Sequence, residues 1–247
     1  MSLSIRCLFV LMLLSVACMR DATGETLPQY RPALLGHHKL SLVNLINTES
    51  LMKHGQKDAV IMFSCSVTSL GDAGYGLTYR ESPDAELLKT EVLARIYQAQ
   101  FEPAVYNHAK VGAWVSGTVS FIVKDGKPHL RVFLNQEEDD LKNGHDFVAP
   151  QFAFVPGNTK FKGIYYPPSA PGHSGVASVQ LDVDANGLVQ AAKVVYEHPP
   201  GMGFGPQTVG PIRDALFIPG FRAGKPVACR FTWSLIFSGP GRQMKTG

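Results

Sequence analysis

The chain is poor in charge and in cysteine: 17% of its 247 residues are charged, the net charge is +3, and there are four cysteines. Near-neutrality argues against a nucleic-acid partner, because contacts to phosphates draw on clustered Lys and Arg. The longest N-terminal apolar run, Cys7 to Leu14, falls well short of the roughly 20 apolar residues that a membrane-crossing helix needs. Catalytic signatures are missing as well. The sequence has no Gly-x-Ser-x-Gly elbow, no phosphate-cradling Gly-Lys-Ser/Thr loop, no His-Glu-x-x-His and no Cys-x-x-Cys. These absences lead to the expectation of a non-catalytic protein without cofactor or metal.

Arg6, the apolar run, and small residues at Ser15 and Ala17 together read as a secretory signal peptide over residues 1–24. Cleavage after Ala17, cleavage after Gly24 and lipidation at Cys18 are three open outcomes, and each sends the chain to the periplasm or the cell envelope. An oxidising compartment would permit a disulfide between Cys65 and Cys229. Both residues also sit at inward positions of alternating strands, which suits buried thiols.

Hydrophobic alternation gives two similar runs of elements. In the first, a strand over Ala59 to Val67 is followed by a Gly-bearing turn and an extended run from Tyr75 to Glu81. A helix comes next, read with Ser82 as cap, Pro83 first, and Leu88, Val92 and Ile96 facing inward. Phe101-Glu102-Pro103 then leads to a strand with Val111, Ala113, Val115, Val119 and Phe121 on one face. Lys124-Asp125-Gly126-Lys127 turns that strand into a fourth, His129 to Leu134.

The second run repeats the order. Val179, Leu181 and Val183 alternate with Gln180 and Asp182. Asp184-Ala185-Asn186-Gly187 then makes a turn into Leu188 to Glu197. A helix is expected over Thr208 to Leu216, with Thr208 as cap. After Phe217-Ile218-Pro219 and Gly224-Lys225-Pro226, a final strand alternates Cys229, Phe231, Trp233, Leu235 and Phe237 against Arg230, Thr232 and Ser234. The fold class is α+β, in two tandem β-β-α-β units, each a small antiparallel sheet with one packed helix. The first unit takes residues 25–135, a linker that packs on a domain takes 136–165, and the second unit takes 166–240.

The second unit resembles the C-terminal domain family of TonB over residues 166–237. The resemblance rests on Tyr166-Pro167, Gly172-His173-Ser174-Gly175, the Asp184 to Gly187 turn, Phe217-Ile218-Pro219 and Gly224-Lys225-Pro226-Val227, all in the family's order. Residues 59–134 form a weaker similar unit. The resemblance implies a small domain that meets outer-membrane transporters by pairing an exposed strand with an extended peptide. Val227 to Phe237 is the expected edge, with Val227, Arg230, Thr232, Ser234 and Ile236 as binding positions. The chain has no Pro/Lys or Pro/Glu repeats of the kind that span a periplasm, so peptide binding is expected rather than motor coupling.

Other residues carry plainer expectations. His37-His38 lacks companion ligands, and adjacent histidines point apart on regular structure. Glu137 to Asp140 reads as a solvated charged face, and Asp182, Asp184 and Asn186 read as turn residues without the closing Glu of a calcium loop. Met202 and Phe204, in the Gly201 to Gly205 loop, read as a connection or as an exposed partner contact. The rival to strand addition is a structural module in which the two units cover each other's edges.

Overall fold

A computed structural model of the chain describes residues 26–134 and 146–238. The signal segment with Cys18 and the acidic run Glu137 to Asp140 lie outside the described residues. In chain order the elements are β1 (Tyr30–Arg31), α1 (Leu42–Leu45), α2 (Thr48–Lys53), β2 (Ala59–Val67), β3 (Ala73–Glu81), α3 (Glu86–Ile96), β4 (Ala104–Tyr106), β5 (Ala109–Lys124) and β6 (Lys127–Leu134). There follow β7 (Phe147–Val148), β8 (Gln151–Phe154), β9 (Gly175–Val183), β10 (Val189–His198), α4 (Phe204–Ile212), β11 (Phe217–Ile218), β12 (Gly220–Arg222), β13 (Lys225–Val227) and β14 (Cys229–Phe237). The protein is a mixed α+β structure, and the strand pairings among the described residues are antiparallel.

The larger sheet is centred on β5. One flank of β5 carries β2 and then β3, and the other carries β4, β8 and β6 in succession along its length. Alternation sends Ile61, Phe63, Cys65 and Val67 of β2, with Ala113, Val115, Val119 and Phe121 of β5, into one core. Leu88, Val92 and Ile96 of α3 cover that face, as the sequence spacing predicts. Leu42 and Leu51 of α1 and α2 add a layer absent from the sequence expectation, because short helices leave too little periodicity to read.

The smaller C-terminal sheet has the order β10-β9-β14. Val179, Leu181 and Val183 face one cluster with Ile212, Phe217 and Phe231, and Ala177 faces a second with Phe204, Leu235 and Phe237. Residues 136–165, expected as linker, contribute β7 and β8. Strand β8 pairs with β5 through Ala153 and Phe154 and with β11 through Gln151 and Phe152, which brings the segment after α4 into the larger sheet, and a third sheet has the order β13-β12-β7. Ile218 and Phe221 also pack into the first core, so the segment after α4 serves both halves.

Both long helices begin differently from the sequence expectation. Ser82 continues the strand pairing, its N–H donating to Val60 O at 2.9 Å, and helix α3 starts after Ala85. The buried Gln56 side chain does the capping: its Oε1 accepts from Leu88 N at 2.8 Å and its amide donates to Asp84 O. Helix α4 spans Phe204–Ile212, earlier than expected. Thr208 is no cap but a buried mid-helix residue, its hydroxyl donating to Phe204 O at 2.8 Å. Pro211 sits in the last turn and lacks the N–H that would continue the ladder, so the helix ends a residue later.

The hairpin between β9 and β10 turns as its residues dictate. The Asp184 carboxylate accepts from Asn186 N and Leu188 N, both at 2.9 Å, and Gly187 adopts φ +80°. Gly187 also lies against the carbonyl of Phe217, whose N–H donates back to Gly187 O at 2.9 Å. A Cβ here would meet that carbonyl, whereas one at Gly126, also at positive φ, would meet open space. Gly187→Ala is therefore expected to cost about 3 kcal/mol or more and Gly126→Ala about 1 kcal/mol. Chemical denaturation measures both, and equal shifts would contradict the close approach.

Candidate functional site

The residues singled out for partner binding fall on two elements. Arg230, Thr232, Ser234 and Ile236 lie on β14, opposite Asp182, Gln180, Ser178 and Val176 of β9. Val227 does not belong with them. It ends β13, paired with Gly220 of β12 in a tight hairpin whose turn residues Ala223 and Gly224 adopt φ +49° and +73°. The continuous alternation of the sequence concealed this break, which the turn forces because Lys225 to Val227 must first pair back on β12.

Strand β14 is nine residues long, and its register on β9 runs from Cys229↔Val183 to Phe237↔Gly175 without a shift. Phe231, Leu235 and Phe237 are buried, and Trp233 stacks on Phe152 with centroids 6.0 Å apart and planes 8° apart. On the opposite face the Arg230 guanidinium forms a bidentate pair with the Asp182 carboxylate at 2.6 and 2.8 Å. That hydrogen-bonded guanidinium holds the Asp182 carboxyl below its usual range. Ser234 and Ser178 hydroxyls lie 2.8 Å apart. These groups tie β14 to β9 side by side and direct its other flank away from the sheet.

Among the described residues β14 pairs with β9 alone, and the other edges differ from it in kind. Strand β3 has two register shifts against β2 and carries Arg80 and Glu81. Strand β10 has two register shifts against β9 and carries Lys193. Strand β6 begins Lys127-Pro128 and carries Arg131, while β1 and β13 have two and three residues. Bulges, prolines, lysines and short length are the usual guards against edge-to-edge association. Strand β14 has none of them, and its one charge, Arg230, is engaged with Asp182.

A residue outside the sequence expectations, Glu197, organises the ground beside this edge. The Glu197 carboxylate, from the end of β10, accepts from Gly203 N at 2.7 Å, Phe204 N at 3.2 Å and Gly205 N at 3.1 Å. These are orphan donors of the α4 N-terminus, where a negative charge is favourable. The clamp turns Phe204 inward, fully buried against Phe237 and Tyr166, and leaves Met202 half-buried. Phe204 is thus a core residue and not an exposed contact. A carboxylate a few residues ahead of a Gly-Phe-Gly-Pro helix start is the signal that could have found it.

The remaining candidates have structural employment. Cys65 and Cys229 are not joined in a disulfide: Cys65 lies in the larger sheet between Val115 and Gly76, and Cys229 in the smaller one opposite Val183. Burial pushes the Cys65 thiol up to about 12. His38 Nδ1 accepts from Leu40 N. The recess lined by Met52, Gln56, Asp84 and Val123 holds the helix-capping Gln56. Among the described residues no three His, Cys, Asp or Glu gather to hold a metal ion, and no helix is long and apolar enough to cross a membrane. Set against protein-family models, curated proteins and solved structures, the chain matches none of them.

The thiols give a direct check on this placement. Iodoacetamide labelling of the native protein at pH 8, mapped by mass spectrometry, is expected to modify half-buried Cys229 well before Cys65, which reacts on unfolding. Equal native-state rates would contradict the buried position of Cys65.

Proposed function

We propose that this is a non-catalytic envelope protein, built from two tandem units like the TonB C-terminal domain, that binds a protein or peptide by adding a strand to β14. The carrying observation is that, among the described residues, β14 is a long, regular edge without guards while the other edges have them. An added strand there gains main-chain hydrogen bonds largely independent of its sequence, which suits a receptor peptide from an outer-membrane transporter.

The tandem reading is supported by contacts that recur 116 positions apart. Val67 faces Ala113 as Val183 faces Cys229, and Ala59 faces Phe121 as Gly175 faces Phe237. Leu88, Val92 and Ile96 are buried on α3 as Phe204, Thr208 and Ile212 are on α4. Phe101 N donates to Gly71 O as Phe217 N donates to Gly187 O. Thr68 Oγ1 accepts from Leu70 N and Asp72 N as the Asp184 carboxylate accepts from Asn186 N and Leu188 N. The sequences differ at most of these positions while the backbone task is the same, as in a duplicated unit that has diverged.

The rival, in which the two units cover each other's edges, is disfavoured by the pairing pattern. The strand that joins the halves is β8, and it pairs with β5 and β11 instead of β14.

Recovery of an outer-membrane partner from envelope extract by the immobilised protein is the test. Thr232→Pro removes an N–H within β14, and Thr232→Lys adds a guarding charge at an exposed position without touching the core. Both are expected to reduce recovery at least about tenfold, with the Lys variant retaining the melting temperature of the parent. Undiminished recovery with both variants would rule out strand addition at β14.

A further inference from the structure

Strand addition leaves open the direction and the side chains of the incoming segment. The larger sheet bears on both, because the flank of β5 equivalent to the outer flank of β14 is already occupied. There β6 runs antiparallel, with Leu134 opposite Gly117, Val132 opposite Val119 and Leu130 opposite Phe121. Leu130, Val132 and Leu134 turn to the core side and pack against it half-buried, while His129, Arg131 and Phe133 take the other face. The residues 116 positions beyond Gly117, Val119 and Phe121 are Trp233, Leu235 and Phe237, which form the core side of β14.

From this we infer that the segment received by β14 runs antiparallel to it and carries aliphatic side chains at every second position, three of them seated beside Trp233, Leu235 and Phe237. The inference rests on the strand-addition reading and on the tandem correspondence. The occupant is an extended segment of a partner protein, the counterpart of β6 supplied from another chain.

Two features of the site fit aliphatic side chains on that face. Ile164 and Tyr166 pack beside Trp233 and Phe237, so the core side continues as an apolar shelf at the end of the strand. The other face of β14 presents Ser234 and Ile236 at the intervening positions, with Ser234 already bonded to Ser178. Side chains of the ligand on that face lie away from the core cluster, beside an already bonded hydroxyl and half-buried Ile236, and gain less by being apolar. Specificity therefore sits on alternate residues, as the pleat of an added strand requires.

The probe is a synthetic peptide with the sequence of residues 127–134, Lys-Pro-His-Leu-Arg-Val-Phe-Leu, titrated into the 15N-labelled full chain. A nitroxide on the peptide N-terminus is expected to broaden the amides of Ile236 and Phe237 and spare Arg230. A nitroxide on the C-terminus is expected to broaden Arg230 to Trp233 more strongly than Phe237. Changing the three aliphatic positions to Ser is expected to weaken binding at least about tenfold, and changing His129, Arg131 and Phe133 to Ser by less than about threefold.

Four results would overturn the inference. The opposite broadening pattern means a parallel strand and leaves strand addition intact. Binding at β14 that ignores the aliphatic positions removes the pattern and likewise leaves strand addition intact. Absence of shifts on β14 means that the first unit does not display the ligand, whereas strand addition itself stands or falls with recovery by the Thr232 variants. Concentration-dependent broadening of β14 without peptide means that a second copy of the chain is the occupant.

Discussion

A β-strand points its N–H and C=O groups to both flanks, and each group needs a partner. In this protein that requirement is met almost everywhere by antiparallel pairing, and the arrangement follows from which strand sits in the middle. Strand β9 is central in the smaller sheet and is paired from Gly175 to Val183 with β14 and over most of its length with β10. Among the described residues β14 is therefore paired on one flank only. Its core side chains and its tie to β9 through Arg230 and Asp182 fix it in place, so the outward backbone groups form a rigid row. On the proposed reading, little ordering cost remains on the protein side when a second chain pairs with β14.

The same requirement explains the helix starts. The first amides of a helix have no partner within it, and here they are met from a distance: Gln56 reaches Leu88 N from the loop after α2, and Glu197 reaches three amides of α4 from the end of β10. Helix α3 is thereby fastened to the loop that leads into β2, and α4 to the sheet it covers. In the smaller half this matters for the edge, because the clamp buries Phe204 against Phe237 and so backs the end of β14.

Much of this was legible in the sequence where the signal is periodic and local. The alternation of Ala59 to Val67, the helix face of Leu88, Val92 and Ile96, the turn at Asp184 to Gly187 and the alternating strand from Cys229 to Phe237 all lie where spacing places them. What escaped depends on partners far along the chain. Ser82 and Thr208 are good caps by residue type, yet remote Gln56 and Glu197 take the role. Val227 alternates in phase with Cys229 and Phe231, yet the turn at Ala223 and Gly224 returns it to β12. Strand β8 carries no distinguishing pattern, and it became visible as a strand through its neighbours on both sides. At the candidate site the face of each side chain could be read, while the pairing of β14 with β9 alone among the described residues is a property of topology that no window of residues displays.

The central claim is that one flank of β14 is open, and amide hydrogen exchange resolved residue by residue tests it most directly. In an edge strand every second amide is bonded to its neighbour and the others face water. The account predicts alternating fast and slow exchange from Cys229 to Phe237, beside the uniformly slow exchange of Val176 to Val183 in β9. Uniform protection along β14, equal to that of β9, would show that its outer flank is already covered and would contradict the proposed role.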